Sequence, residues 1–141
     1  MNAATESTTD SSEIHFAEGV IGVPRARRFQ LLERPDSPVR ILRCLDIEGF
    51  ALPVIDPYAA DPDYRPRFHP RVFQALGIES DDPVLVLAIT SLEESGGTAN
   101  LRAPLVINPV RRRGAQVILD GDDYPVRVRV SVGRELATEP R

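Results

Sequence analysis

The chain has 141 residues, 42% of them hydrophobic and 27% charged, which suits one globular domain burying about 68% of its unfolded surface. Its longest apolar run, residues 84–89, falls far short of the about 20 residues a membrane-spanning helix needs, and a single cysteine, Cys44, excludes an internal disulfide and cysteine-paired metal sites. Net charge is −4, of which residues 1–13 carry −3; the other 128 residues hold 18 acids against 17 arginines and no lysine, so no basic face for general nucleic-acid binding is expected.

Residues 1–12, MNAATESTTDSS, hold no bulky apolar side chain. Nothing there offsets the entropy of ordering, which predicts a disordered acidic tail. Without a basic residue or an apolar core it is no secretory signal, so a cytoplasmic location is expected, where a lone thiol stays reduced. A short strand precedes Gly19. Residues 29–32, 39–45 and 50–55 read as further strands, separated by Arg34-Pro35-Asp36-Ser37-Pro38 and Glu48-Gly49. Pro53 interrupts the last of these and should mark an edge or a bulge, since it has no N–H for a ladder. Val54 and Ile55 alternate, so one of them is buried.

Asp56-Pro57 is a break, and residues 70–76 give the one helix. Pro70 suits its first position, Val72, Phe73 and Leu76 form an apolar stripe, and Gly77 closes it. Residues 84–89, apolar on both faces, belong in the centre of the core. Gly96-Gly97 reads as a turn, followed by a strand over 101–107 that Pro104 interrupts and the turn Asn108-Pro109. Residues 115–119 and 126–132 are the last strands; in the second, valines alternate with Arg127, Arg129 and Ser131. Residues 134–141 form a loose C-terminal tail. The sum is a mainly β fold over residues 13–133, a small closed or partly open antiparallel β-barrel with one short helix near residues 70–76.

Reactive chemistry is sparse. His15 and His69 are 54 positions apart with no ligand-type neighbour, so no metal is expected, and His69 reads as a surface or capping group. Cys44, in a strand of aliphatic residues, reads as a small core residue. Asp61-Pro62-Asp63-Tyr64-Arg65 and Asp120-Gly121-Asp122-Asp123 fail the calcium-loop pattern, with Arg65 at the fifth position of one and Ser131 at the twelfth of the other. They read as turns. Gly19-Val20-Ile21-Gly22 lacks the helix and lysine of a phosphate loop. Arg111-Arg112-Arg113 is either a solvated hairpin tip or a phosphate contact, without interleaved aromatics for base stacking. No enzyme and no cofactor is expected.

Several phrases taken in order resemble the flagellar assembly factor family, FliW. They are Ile14-His15-Phe16, Glu18-Gly19-Val20-Ile21-Gly22-Val23, Arg28-Phe29-Gln30-Leu31-Leu32, and Phe50-Ala51-Leu52-Pro53-Val54-Ile55-Asp56-Pro57-Tyr58 with Asp63-Tyr64 after it. Val84 to Ile89, Ala99-Asn100-Leu101-Arg102-Ala103-Pro104-Leu105-Val106-Ile107-Asn108 and Gly114-Ala115-Gln116-Val117-Ile118-Leu119 complete the likeness, over about residues 14–125. Ala17 and Val23 depart from it, standing where the family tends to have proline and a large aromatic, and residues 1–12 replace an extra strand. The resemblance implies a cytoplasmic, non-enzymatic protein that binds the RNA-binding repressor CsrA, relieving its hold on flagellin messenger RNA, and that also binds flagellin.

The residues around position 50–64 suit a protein partner, concentrating aromatics, prolines and carboxylates. Phe50, Pro53, Asp56, Tyr58 and Tyr64 are the candidate surface, with Asn100 and Asn108 nearby; Phe50 and Tyr58 read equally well as core. The acidic tail, docked beside a basic groove, would lower the potential felt by phosphates within a Debye length of about 8 Å. Size and charge suit a monomer that contacts neither nucleic acid nor membrane directly. A β-barrel module for nucleotides or oligonucleotides, served by the arginine run, is the alternative, and a small enzyme with an unrecognised pocket is a third.

Overall fold

The structure, a computed structural model, describes residues 13–93, 96–121 and 123–130. Period-two segments become strands β1 (Glu13–Phe16), β2 (Arg28–Leu32), β3 (Arg40–Cys44) and β4 (Ala51–Ile55). Two short helices follow, α1 (Pro57–Ala60) and α2 (Pro70–Leu76), and then β5 (Leu85–Glu93), β6 (Gly96–Ala99), β7 (Leu105–Asn108), β8 (Arg113–Gln116) and β9 (Val128–Val130). The strand order is β4-β3-β2-β1-β8-β7-β5-β6-β9, and a further pairing of β4 with β5 closes seven of the nine strands into a ring. The mainly β class expected from the sequence is the one found.

β5 makes both the ring and its extension. Leu85–Leu87 pair with Leu105–Ile107 of β7, and Thr90–Glu93 pair with β6, which in turn carries β9. On the other side of β5, Ala88 and Ile89 pair with Ile55 and Val54 of β4. Alternation along the β3–β4 ladder, where Pro53 faces Ile41, turns the Pro53 nitrogen away from β3 and toward β5. With no N–H there, the β4–β5 ladder stops, and the far end of β5 diverges from the ring.

This arrangement makes two cores. Inside the ring pack Phe16, Phe29, Leu42, Cys44, Val54, Leu87, Leu105 and Ile107. Phe16 and Phe29 meet edge to face, centroids 5.2 Å apart. Each such side chain, fully buried, contributes about 1.5–3 kcal/mol. A second cluster on the outer face holds Val39, Ile55, Tyr64, Ala88, Ala99, Leu101 and Leu119. Val54 and Ile55 are therefore both buried, one in each cluster, where alternation alone led us to expect one.

Two glycines have steric causes. A Cβ on Gly19 would lie 2.4 Å from the Pro24 carbonyl oxygen, and one on Gly114 would lie 2.6 Å from the Phe16 ring. The first lets the turn after β1 fold back on itself; the second seats Phe16 against β8. The start of β2 is held by Asp46, whose carboxylate accepts from the Arg28 and Arg27 amides at 2.7 and 2.9 Å and from Arg28 Nε at 2.9 Å. Those bonds, the Arg28 amide first, lower its pKa to about 2.

Several expectations change. The β1–β8 pair is parallel, an exception in an otherwise antiparallel sheet. α1 is an added helical turn, made by Asp56 capping and Pro57 at its first position. Gly96-Gly97, read as a turn, lies within β6 because β5 and β9 supply ladders on both its sides. Residues 101–104 form a bulge between β6 and β7, with Pro104 at its end, so the strand there is shorter than 101–107. Residues 117–119 continue past β8 through bonds from Val117 to Pro104 and from Leu119 to Arg102, not as regular strand. α2 forms as expected: His69 caps it, and Gly77 ends it at φ 71°. The expected tails, residues 1–12 and 134–141, and Ser131 to Gly133 lie outside the described residues. No helix among the described residues is long and apolar enough to cross a membrane.

Candidate protein-binding site

The segment after β4 is shaped by two aspartates. Asp56 caps α1, accepting from the Tyr58 amide at 3.0 Å, and Asp61 closes the next turn, accepting from the Asp63 amide at 3.0 Å. The Tyr64 amide then bonds to the Asp61 carbonyl, which drops the Tyr64 ring into the outer cluster. Tyr64 is 3% exposed, and its hydroxyl donates to the Leu101 carbonyl at 2.8 Å. Burial, and then Tyr124 and Tyr58 beside it, push its pKa up, so it stays a neutral donor.

Tyr64 is the centre of an aromatic triad. Tyr58 packs against it at 5.7 Å and Tyr124 at 6.1 Å, both edge to face. The Tyr124 hydroxyl donates to the Arg65 carbonyl at 2.9 Å, and Arg102 Nε donates to the Tyr124 carbonyl at 2.8 Å. These bonds draw Asp120, Gly121, Asp123 and Tyr124 against residues 61–67 and leave a cleft of about 600 Å³ between them. Asp61, Asp63, Asp120 and Asp123 line it against two cations, Arg65 and Arg67.

The seven candidate residues separate into two groups. Asp56 and Tyr58 are exposed beside the cleft, and Tyr58 keeps 43% of its surface accessible. The others hold the scaffold. Phe50 leans on Phe29 at the mouth of the inner core, 6.4 Å between centroids, and Pro53 terminates a ladder. Asn100 shapes the bulge, accepting from the Arg102 and Ala103 amides at 2.9 and 3.1 Å. Asn108, 1% exposed, donates to the carbonyls of Leu76 and Gly77 and accepts from the amides of Val110 and Arg111. It welds the end of α2 to the turn that carries Arg111 to Arg113.

Of the residues that line the cleft only Tyr64 was among the candidates; Asp61, Asp63, Arg65, Arg67, Asp120, Asp123 and Tyr124, with Arg102 behind them, were not. The signal available was the pair of aspartate-rich turns, each of which reads locally as a turn; only the fold brings them face to face. No group of three or more histidine, cysteine or carboxylate side chains among the described residues is placed to hold a metal. The cleft combines charged side chains with tyrosine rings on a backbone fixed by hydrogen bonds.

Comparison with known proteins agrees with this shape. The model of the FliW protein family matches residues 2–130. A flagellar assembly factor FliW of Syntrophus aciditrophicus is 30% identical over 130 residues, covering 90% of this chain and 82% of its own. That of Symbiobacterium thermophilum is 37% identical over 118 residues, covering 79% and 84%. A crystal structure of the flagellar assembly factor FliW superposes with a TM-score of 0.80 at 29% identity, covering 85% of this chain and 86% of that one. The chain belongs to the FliW family of flagellar assembly factors.

Proposed function

We propose that this protein is a cytoplasmic, monomeric regulator of flagellin synthesis that binds a CsrA-type RNA-binding repressor and, in competition with it, flagellin. The acid-lined cleft beside the Tyr58–Tyr64–Tyr124 triad carries the reading. An RNA binder must present cations to phosphate, and a surface with four carboxylates against two guanidiniums is complementary to such a face. Tyr58 supplies exposed aromatic area at low entropic cost, and Asp56 stands beside it. Phe50, Pro53, Tyr64, Asn100 and Asn108 act through the shape they give this surface. Docking there places carboxylates beside the repressor's basic groove and weakens its grip on RNA without covering every base contact.

The test is calorimetric titration of the purified protein with the CsrA-type regulator and with flagellin from the same cell, at two salt concentrations. Binding of both is expected, mutually exclusive, with the regulator's affinity falling as salt rises. Changing Asp61, Asp63, Asp120 and Asp123 together to asparagine should cost the regulator about tenfold, about 1.4 kcal/mol. Binding of neither partner overturns the proposal. RNA bound by the protein alone, with a steep salt dependence, would favour the oligonucleotide-module alternative.

A further inference from the structure

A second cleft, of about 540 Å³, lies on the other side of Arg67 and Asp120, between α2 and the chain from Gly114 to Asp120. β8 is paired on both sides only at its start. β1 accompanies it at Arg113 and Gly114 and then turns away at Ala17. From there one side of the chain is satisfied by the bulge, through Val117 to Pro104 and Leu119 to Arg102. The alternate groups point the other way. Among the described residues, the Ile118 and Asp120 amides have no backbone partner. Ile118 is 62% exposed at this open edge.

Unprotected edges carrying a β-branched residue are template sites for another strand, and folds usually blunt them with lysine, proline or cover. Among the described residues nothing of that kind stands at Ile118, which is itself exposed. Instead the edge faces a trough floored by small residues, Ala17, Gly19 and Ala115, which let a second backbone approach. The opposite wall is α2, which presents Val72 and Arg71, with Arg67 in the segment just before it; Glu18 and Asp120 line the side of the open edge. Neither arginine has a carboxylate within ion-pair distance among the described residues. Arg71 sits where His69 fixes the helix start, its amide donating to the His69 ring nitrogen Nδ1 at 3.2 Å.

We propose that this trough binds an extended, acid-bearing segment of a partner polypeptide by strand addition to residues 116–120. Backbone bonds to Ile118 and Asp120 supply affinity. Alternate side chains divide: apolar ones cover Ile118 and Val72, and carboxylates meet Arg67 and Arg71. The site adjoins the tyrosine cleft but is separate from it, and it stands whether or not that cleft binds a repressor.

The probe is an end-blocked eight-residue peptide alternating valine and aspartate, titrated into the isotope-labelled full chain by NMR. Saturable shifts and slowed exchange at the Ile118 and Asp120 amides are expected, with a dissociation constant on the order of 100 µM, as for small transient interfaces. Ile118→Pro, which removes an N–H with no backbone partner among the described residues, should weaken binding at least tenfold, and Arg71→Glu about fivefold. A valine–lysine peptide should bind at least fivefold more weakly than the valine–aspartate one. No saturation at millimolar peptide, equal binding of the lysine peptide, or an unchanged affinity in Arg71→Glu overturns the proposal, and these hold even if Ile118→Pro fails to fold. Concentration-dependent dimers in sedimentation that Ile118→Pro abolishes would assign the edge to a second copy, and overturn it too.

Discussion

The inner and outer cores of this protein are built from different chemistry. Inside the ring, Phe16, Phe29, Leu42 and Leu105 pack with no polar handle among them. Outside it, the segments around Tyr64, Leu101 and Leu119 are held by a tyrosine hydroxyl and an arginine that donate to backbone carbonyls and by an asparagine oxygen that accepts from backbone amides. The first is hydrophobic burial closed on itself. The second is a half-core whose polar attachments determine where charged loops stand. The ring holds the larger apolar side chains, and the charged loops stand on the layer that leans on it.

The contrast can be broken from the ring side first. Phe16→Ala should cost about 3–5 kcal/mol in urea unfolding, since Gly114 approaches its ring so closely that little can collapse into the space. Asn108→Ala comes next, at about 2–3 kcal/mol, because two carbonyls and two amides lose a buried partner together. The same variant should weaken the proposed repressor binding, measured by calorimetry, less than changing the four cleft aspartates does, a result that separates scaffold from surface. Tyr64→Phe removes the donor to Leu101 and should cost about 1–2 kcal/mol while loosening the cleft, seen as faster exchange of the Leu101 and Tyr124 amides. The smallest effect belongs to Asp46. Its folded pKa lies below the unfolded value, so its contribution is present above about pH 4 and is lost as pH falls through about 2. Acid unfolding curves of the protein and of Asp46→Asn should therefore differ near neutrality and converge near pH 2.

Local chemistry made much of this architecture readable. Pro70 and Gly77 bracket α2 because each has a conformational preference that needs no partner, and the turn at Glu48-Gly49 and the place of Pro57 at the start of α1 follow from the same cause. Pro53 announced a ladder that ends, which is a statement about a missing N–H and holds in any fold. Gly96-Gly97 misled for a complementary reason: its strand conformation comes from β5 and β9 on either side, and neither is visible in the dipeptide. Asn100 and Asn108 look like partner contacts in a polar, aromatic neighbourhood. In the fold, each is surrounded by backbone donors that make it a clamp.

Part of the surface is readable locally, since a capped turn at the end of a strand leaves Asp56 and Tyr58 exposed. The cleft itself is not, because one of its walls, Asp120, Asp123 and Tyr124, arrives from about 60 residues away through the Tyr124 and Arg102 hydrogen bonds. From the sequence alone came the β class, the helix and its ends, the core character of Cys44 and the family likeness, all properties of short-range preference or of ordered motifs. Tertiary structure alone decided which buried face each strand shares, that β1 and β8 run parallel, and that two aspartate turns form one surface. Those outcomes depend on contacts between distant segments, whose energies exist only once the chain has closed on itself.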